Sequence, residues 1–428
     1  MRFLLPALLG CLLLFSACGK DTCEQTTTYT KLTPVLVDPA DFRALPLTSE
    51  APRELRFPGK IYSYGNLLLI NERNEGIHFI DNSDKTAPQA IAYLPLGGNT
   101  DFVIRNGILY ANHYTDLVSF DVSDPLALEV RGRTENVRNP LELDGKGRIA
   151  TYYNAEEVTE TVDCDAQQFI DSRGFGCWNC EFWAQTDFFD ASFASGDVSN
   201  IAPSSGVGTG GSMARFTVYK DRLYTVDDAT LRAFTFTGPT VEQTSETQLW
   251  WGIETIIPYN DHLFIGSQTG MFIYEASDPD NPTRVSVFQH ARACDPVYVK
   301  DDYAYVTLRD GTPCAGFANQ LDLVDISDMS NPRLAESFQM QHPHGLGILD
   351  ESLFVCEGDF GLKAFDISDP LKLDNNRLWT DRDRHTYDVI PLGGDTPTLL
   401  VVGDDGFLQL DISNAEKPVL LSTIPVTR

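Results

Sequence analysis

Leu321-Asp-Leu-Val-Asp-Ile-Ser-Asp-Met-Ser-Asn-Pro332 decides the fold of this chain, because its order of apolar run, Asp, Ser-Asp and Pro returns along most of the sequence. Anchored on the acidic residue that closes the apolar run, the copies fall at Asp81, Asp121, Glu275, Asp325, Asp366 and Asp411, with a weaker echo at Thr235 in Ala-Phe-Thr-Phe-Thr. Seven residues beyond the clear anchors stand Pro88, Leu128, Pro282, Pro332, Leu373 and Pro418. Self-similarity at a fixed offset marks a repeat protein.

The anchors are spaced by 40 (81 to 121), 40 (235 to 275), 50 (275 to 325), 41 (325 to 366) and 45 (366 to 411) residues. These intervals match one four-stranded propeller blade. The gap from 121 to 235 holds one standard unit, a further degenerate unit and an insertion of roughly 30 residues. The expectation is an all-β, eight-bladed β-propeller over 57–428, with seven blades the alternative if residues 137 to 163 join the insertion. Within the unit around 345, Leu346-Gly-Ile348 reads as the inner strand, Ser352–Cys356 as the second and Leu362–Asp366 as the third. Turns at Asn74-Glu-Gly76, Gln268-Thr-Gly270, Gly358-Asp-Phe-Gly361 and Gly403-Asp-Asp-Gly406 carry Gly for positive φ.

The Asp-Ile-Ser-Asp-Pro copies resemble the LVIVD repeat family, named for that third strand and found in bacterial surface and extracytoplasmic proteins. The resemblance covers roughly residues 57 to 426. It implies a β-propeller lipoprotein and names no ligand.

The chain of 428 residues is 42% hydrophobic and 22% charged, enough to bury a substantial core. Its net charge of −29 argues against nucleic acid, whose phosphates need a basic face. Met1-Arg-Phe, the apolar run Leu4 to Phe15 and Ser16-Ala17-Cys18 form a secretory signal, residues 1–17, too short to span a bilayer. Phe15-Ser-Ala-Cys18 resembles a bacterial lipobox, so Cys18 is the expected lipidation site. Gly19 and Lys20 carry no Asp retention signal; in a cell with an outer membrane, the resemblance to bacterial lipoproteins implies anchoring there. Residues 18–56 read as a tether and lead-in, with one helical turn in Asp38–Ala44.

An insertion at about 164–212 holds Cys164, Cys177 and Cys180, several aromatics from Phe175 to Phe193, and the Gly-rich run Ser204–Ser212. Loops of this length in compact domains are functional or disordered. It is read either as an exposed binding surface or as a lid with its own small core. Of nine Cys, Cys11 leaves with the signal and lipidation takes Cys18, so one of the remaining seven is unpaired. Cys356, inside Leu353-Phe-Val-Cys356, is that one. Cys294 and Cys314 bracket the first two strands of one unit and are read as a disulfide, and Cys23, Cys164, Cys177 and Cys180 as further disulfide partners. The CxxC at 177–180 lacks a βαβ setting for redox chemistry, and no nearby His completes a zinc set.

No nucleophile elbow, metalloprotease motif, phosphate loop or dinucleotide fingerprint is present. Propeller sites are instead assembled from several blades. The inner strands open with Lys60, Asp101, Arg215, Glu254, Asp295, His344 and Asp388, a candidate ring at one channel mouth for a polar ligand or cation. His342-Pro-His344 has metal-compatible spacing on a strand edge, but too few acidic neighbours; no metal and no cofactor is expected. The repeated Asp-X-Ser-Asp reads as turn structure, not calcium loops.

The functional expectation is a lipid-anchored, extracytoplasmic, monomeric binding scaffold for a protein or glycan partner. The alternative is a hydrolase or lyase acting through Asp101, Asp295, His344 and Asp388. Peptide mapping without reductant should recover Cys294 linked to Cys314, a loop of about twenty residues whose closure stabilises by roughly 3 kcal/mol; either Cys found alkylated as a free thiol removes the assignment.

Overall fold

A computed structural model describes residues 24–138, 141–142, 146–163, 209–210, 214–227, 229–250, 252–290, 296–309, 318–404 and 406–427. The chain divides into a large unit, 35–152 with 187–428, and a small one, 1–34 with 153–186. The large unit holds seven blades, each an antiparallel sheet of four consecutive strands: 58–95, 102–134, 216–248, 253–289, 297–339, 346–381 and 388–425. The fold is therefore the seven-bladed alternative, and the expectation of eight blades is corrected.

The reason lies in residues 137–163. Ile149-Ala-Thr-Tyr-Tyr153 is a strand, as its β-branched and aromatic residues demand, but it runs on as Ile149–Asp163 without a turn. Its partners are the two-residue strand Leu141–Glu142 and the N-terminal strand Glu24–Val37, in the order Glu24–Val37, Ile149–Asp163, Leu141–Glu142. The three strands are not four consecutive ones, since the N-terminal strand supplies one edge, and so they do not make a further blade. Residues 24–37, read as tether, are thus strand, and the helical turn of the lead-in is the helix Pro39–Arg43, capped by Asp38 through the Ala40 amide at 2.8 Å.

Each clear anchor ends the third strand of its blade and accepts the amide two residues ahead: Asp81 from Ser83, Asp121 from Ser123, Asp325 from Ser327, Asp366 from Ser368 and Asp411 from Ser413, at 2.8–3.0 Å. Glu275 does the same to Ser277 at 3.2 Å. In four blades a second Asp repeats the turn at once, Asp84, Asp124, Asp278 and Asp328 each taking the amide two residues on. The fourth strand then carries one extra residue in all seven blades, for example opposite Phe79/Ile80, Leu323/Val324 and Gln409/Leu410. Blade 3, which lacks the anchor, keeps the same bulge between Ala233 and Phe234. A bulge increases local twist, which an outer strand needs as the blade splays from the axis.

The turn glycines differ in part from expectation. Gly361 and Gly406 adopt φ +90° and +123°, but Gly76 and Gly270 do not; an added Cβ there would lie 2.2 Å from the Leu94 carbonyl oxygen and 2.5 Å from that of Phe288. Close approach of the fourth strand excludes a side chain at those two positions.

The apolar core lies between blades. Leu55, Ile61, Leu68, Ile70 and Ile80 of blade 1 and its lead-in meet Ile390, Leu400, Val402 and Phe407 of blade 7, which closes the ring. No strand is exchanged across this seam; Leu55 bridges Val426 in parallel, and the Thr427 amide donates to the Leu55 carbonyl at 2.8 Å. Gln409, fully buried, and Asn82 exchange amide hydrogen bonds across it at 2.9 and 2.7 Å. Tyrosines join other neighbours: Tyr62 takes the Ile104 amide, and Tyr298 donates to the Ile348 carbonyl. The Gln409→Leu variant leaves the Asn82 amide without its partner at the seam, so it should lose about 1–3 kcal/mol in urea unfolding of the full chain; an unchanged midpoint would show that the pair does not hold the ring.

Candidate functional site

Antiparallel blades put their turns at two ends. The carboxylate turns between third and fourth strands share one end with the turns between first and second strands. The other end carries the second-to-third turns and the connections between blades. Six of the seven histidines stand at or beside this connection end: His78, His113, His290, His342, His344 and His385. Only His262 lies in a first-to-second turn. The insertion leaves blade 2 after Thr134 and returns before Phe216, so it too emerges here.

The described candidate mouth residues lie at or near the starts of the inner strands, but they belong to different local groups. Asp101 is buried in a clasp across three blades. One carboxylate oxygen pairs with the Lys60 ammonium and takes the Phe102 amide; the other takes the amides of Arg215 and Phe216 at 2.6 and 2.9 Å. Burial pulls the Lys60 ammonium below its ordinary pKa, and Asp101 offsets part of that pull. Arg215 enters through its backbone. Glu254, half-buried, meets the Gln268 amide at 3.5 Å. Asp388 is buried against Gly345, where an added Cβ would sit 2.2 Å from its Oδ1. Burial drives its carboxyl well above the usual range, opposed by the Val389 amide.

His344 sits in a third group. The Arg309 guanidinium donates to its Nδ1 at 2.9 Å, and its Nε2 lies 3.2 Å from His342 Nδ1. Burial first, then Arg309, hold the imidazole neutral. The i, i+2 rings thus do meet, in a hydrogen-bonded chain starting at an arginine. No group of three His, Cys, Asp or Glu among the described residues has metal-holding geometry. Asp295, Cys18, Cys23, Cys164, Cys177, Cys180, Cys294 and Cys314 lie outside the described residues. Cys356 is a buried free thiol, as its apolar run suggested.

Sequence reasoning missed the dominant device of this end, a buried acid and base straddling the second-to-third turn. In blade 1 Glu72 pairs with His78 at 2.8 Å and accepts the amides of Arg56 and Phe57. In blade 6 Glu357 pairs with Lys363 at 2.6 Å and accepts the Gln341 amide at 2.7 Å. In blade 3 Asp227 pairs with Arg232, which also reaches Glu246. Against their burial, His78 and the two amides pull the Glu72 carboxyl below its ordinary pKa, and Arg138 together with Arg232 does the same for Asp227. In blades 1 and 6 the pair also fastens the connection that leads into its blade. An acid followed five or six residues later by a base, across a turn, was the available signal.

Blade 2 uses a variant. Asp116, with no side-chain exposure, accepts Arg43 at 2.7 and 2.8 Å, Arg133 at 2.9 Å and the Asn136 amide at 3.0 Å. It ties the N-terminal helix and the start of the insertion to one buried carboxylate. Phe42 packs edge-on against His113, which burial and Arg133 push down to about 4.

Thr209 and Gly210 pair with Ser63 and Tyr62, adding a fifth strand to the inner edge of blade 1. Exposed aromatics stand on the same end: Phe57, Trp250 and Phe360, at 63%, 67% and 46% of full exposure.

Residues 291–340, which contain blade 5 and the stretch Leu321–Pro332, match the LVIVD repeat model. Among solved structures, a functionally unknown protein from Desulfotomaculum acetoxidans is 10% identical with a TM-score of 0.51, over 84% of this chain and 95% of that one. Saccharomyces cerevisiae Sqt1 is 11% identical with a TM-score of 0.50, over 86% of this chain and 100% of that one. Likeness at this identity carries the fold alone. No curated protein matches the sequence.

If the acid–base pairs are structural, Lys363→Met should cost about 3–5 kcal/mol by stranding the Glu357 charge. Adding Glu357→Gln should restore much of that loss in the urea midpoint, since Gln keeps the acceptor for the Gln341 amide; a single variant as stable as the parent overturns this role.

Proposed function

Because the chain carries an LVIVD repeat on a β-propeller, we propose that it is a lipid-anchored extracytoplasmic scaffold that holds a protein or glycan partner on its connection end. The observation that carries this reading is the contrast between buried and exposed groups there. The buried charges at this end are largely engaged in clasps that fasten turns and connections: Asp101 with Lys60, Glu72 with His78, Glu357 with Lys363, Asp116 with two arginines. Clasps of this kind make a rigid platform. Phe57, Trp250 and Phe360 are left in water on that platform, and large exposed apolar groups on a rigid surface suit recognition. The anchor rests on the apolar run ending at Cys18, and the outer membrane on the residues that follow it.

Two measurements test the reading. Cys18→Ala should move the protein out of the membrane fraction; retention there removes the anchor. A photo-crosslinking residue at Glu75 or Asp359, on the connection end, should give partner adducts in cells or lose signal on a glycan array. The same residue at Asp84 or Asp328, on the opposite end, should do neither, and equal behaviour of the two ends would sink the assignment of the face.

A further inference from the structure

The second-to-third turn of blade 6 is built unlike its counterparts. It takes five residues, 357–361, against two or three in blades 1, 2, 3, 4 and 7. It is also fastened on every side. Gly358 and Thr386 exchange backbone hydrogen bonds at 3.0 and 3.1 Å, the Thr386 hydroxyl donates to the Gly361 carbonyl at 2.6 Å, and the Glu357 amide donates to the same carbonyl at 2.7 Å. Gly358 and Gly361 adopt φ +55° and +90°. A Cβ would lie 2.9 Å from His344 Nε2 at the first and 1.8 Å from the Asp381 carbonyl oxygen at the second. Only glycine satisfies both demands.

What this rigid turn carries into solvent is Phe360, 46% exposed, beside Asp359, whose side chain is 87% exposed. Burying a phenyl ring contributes about 1.5–3 kcal/mol, and here much of that is left unspent. A side chain on a turn already ordered loses little freedom when a ligand docks. His385 Nε2 lies 3.5 Å from the Asp359 carboxylate.

We propose that Phe360 and Asp359 form a subsite for a neutral sugar ring. The inference rests on the reading of the connection end as the binding face and narrows its partner to a glycan. The aliphatic C–H face of a pyranose stacks on a phenyl ring, and its hydroxyls donate to a carboxylate, which only accepts. One phenyl and one carboxylate match a single ring; a stable protein contact needs on the order of 1,200 Å² or more. The net charge of −29 and the Asp359 carboxylate disfavour an acidic glycan.

The test is affinity electrophoresis of the full chain in gels carrying a neutral glucan, mannan, galactan or xylan, with polygalacturonate as the anionic counterpart. At least one neutral polysaccharide should retard the protein. F360A should weaken that retardation at least tenfold with an unchanged melting temperature, F360W should keep it, and D359N should weaken it several-fold. No retardation by any neutral polymer, equal retardation of F360A, or stronger retardation by polygalacturonate overturns the subsite. Crosslinked protein adducts at Glu75 that persist in F360A would overturn the glycan assignment while leaving the scaffold reading intact; retardation that survives with no adducts and no preference between ends would do the reverse.

Discussion

A ring of blades closes only if each blade turns outward by the same wedge, and here that wedge is set where the third strand meets the fourth. A carboxylate accepts the amide two residues ahead, which fixes the turn, and one extra residue in the fourth strand then adds twist. The bond recurs from Asp81 to Asp411. Asp81 is exposed and the other anchors are partly exposed, and the Ser hydroxyls and amides beside them hold Asp325, Asp366 and Asp411 below the ordinary carboxylate range. They therefore act as turn acceptors with little desolvation to overcome. Blade 3 shows which half of the device is indispensable: it has lost the carboxylate at Thr235 and kept the bulge. The polypeptide can replace a side-chain acceptor more readily than it can replace the extra twist.

That device made the fold legible, since an Asp at fixed phase after an apolar run is a local signal. Leu346–Leu349, Ser352–Cys356 and Leu362–Asp366 fall where alternation and turn residues put them. Blade number was not legible, because residues 141–163 carry honest strand signals. Periodicity reports that a segment is extended and not what it pairs with. The partner of Ile149–Asp163 is the strand Glu24–Val37, which no local pattern could indicate.

The same distinction explains the candidate site. Register put Lys60, Asp101 and Arg215 at equivalent places in successive blades, and the structure does bring them together. What the alternation could not supply was their mutual chemistry. Asp101 meets Lys60 41 residues away and the Arg215 amide 114 residues away, so a side chain that looked like a mouth carboxylate is the knot of three blades. His344 likewise drew attention through its spacing to His342, but burial, and after it the Arg309 guanidinium from the preceding blade, lower its pKa.

The two ends of the propeller thus divide their labour. At the carboxylate end, uniform turns repeat one solution, and uniformity leaves little room for recognition. At the connection end four blades solve the same problem differently, with Glu–His, Asp–Arg, Glu–Lys or a carboxylate shared by two arginines. A buried pair of this kind contributes little net stability when intact, because desolvation offsets most of the attraction, yet it is costly to break. Such pairs are a means of holding a surface in one arrangement more than of stabilising the fold. The connection end is thus held firmly while Phe57, Trp250 and Phe360 are left in water upon it, and the turn around Phe360 is the one that two glycines hold most closely.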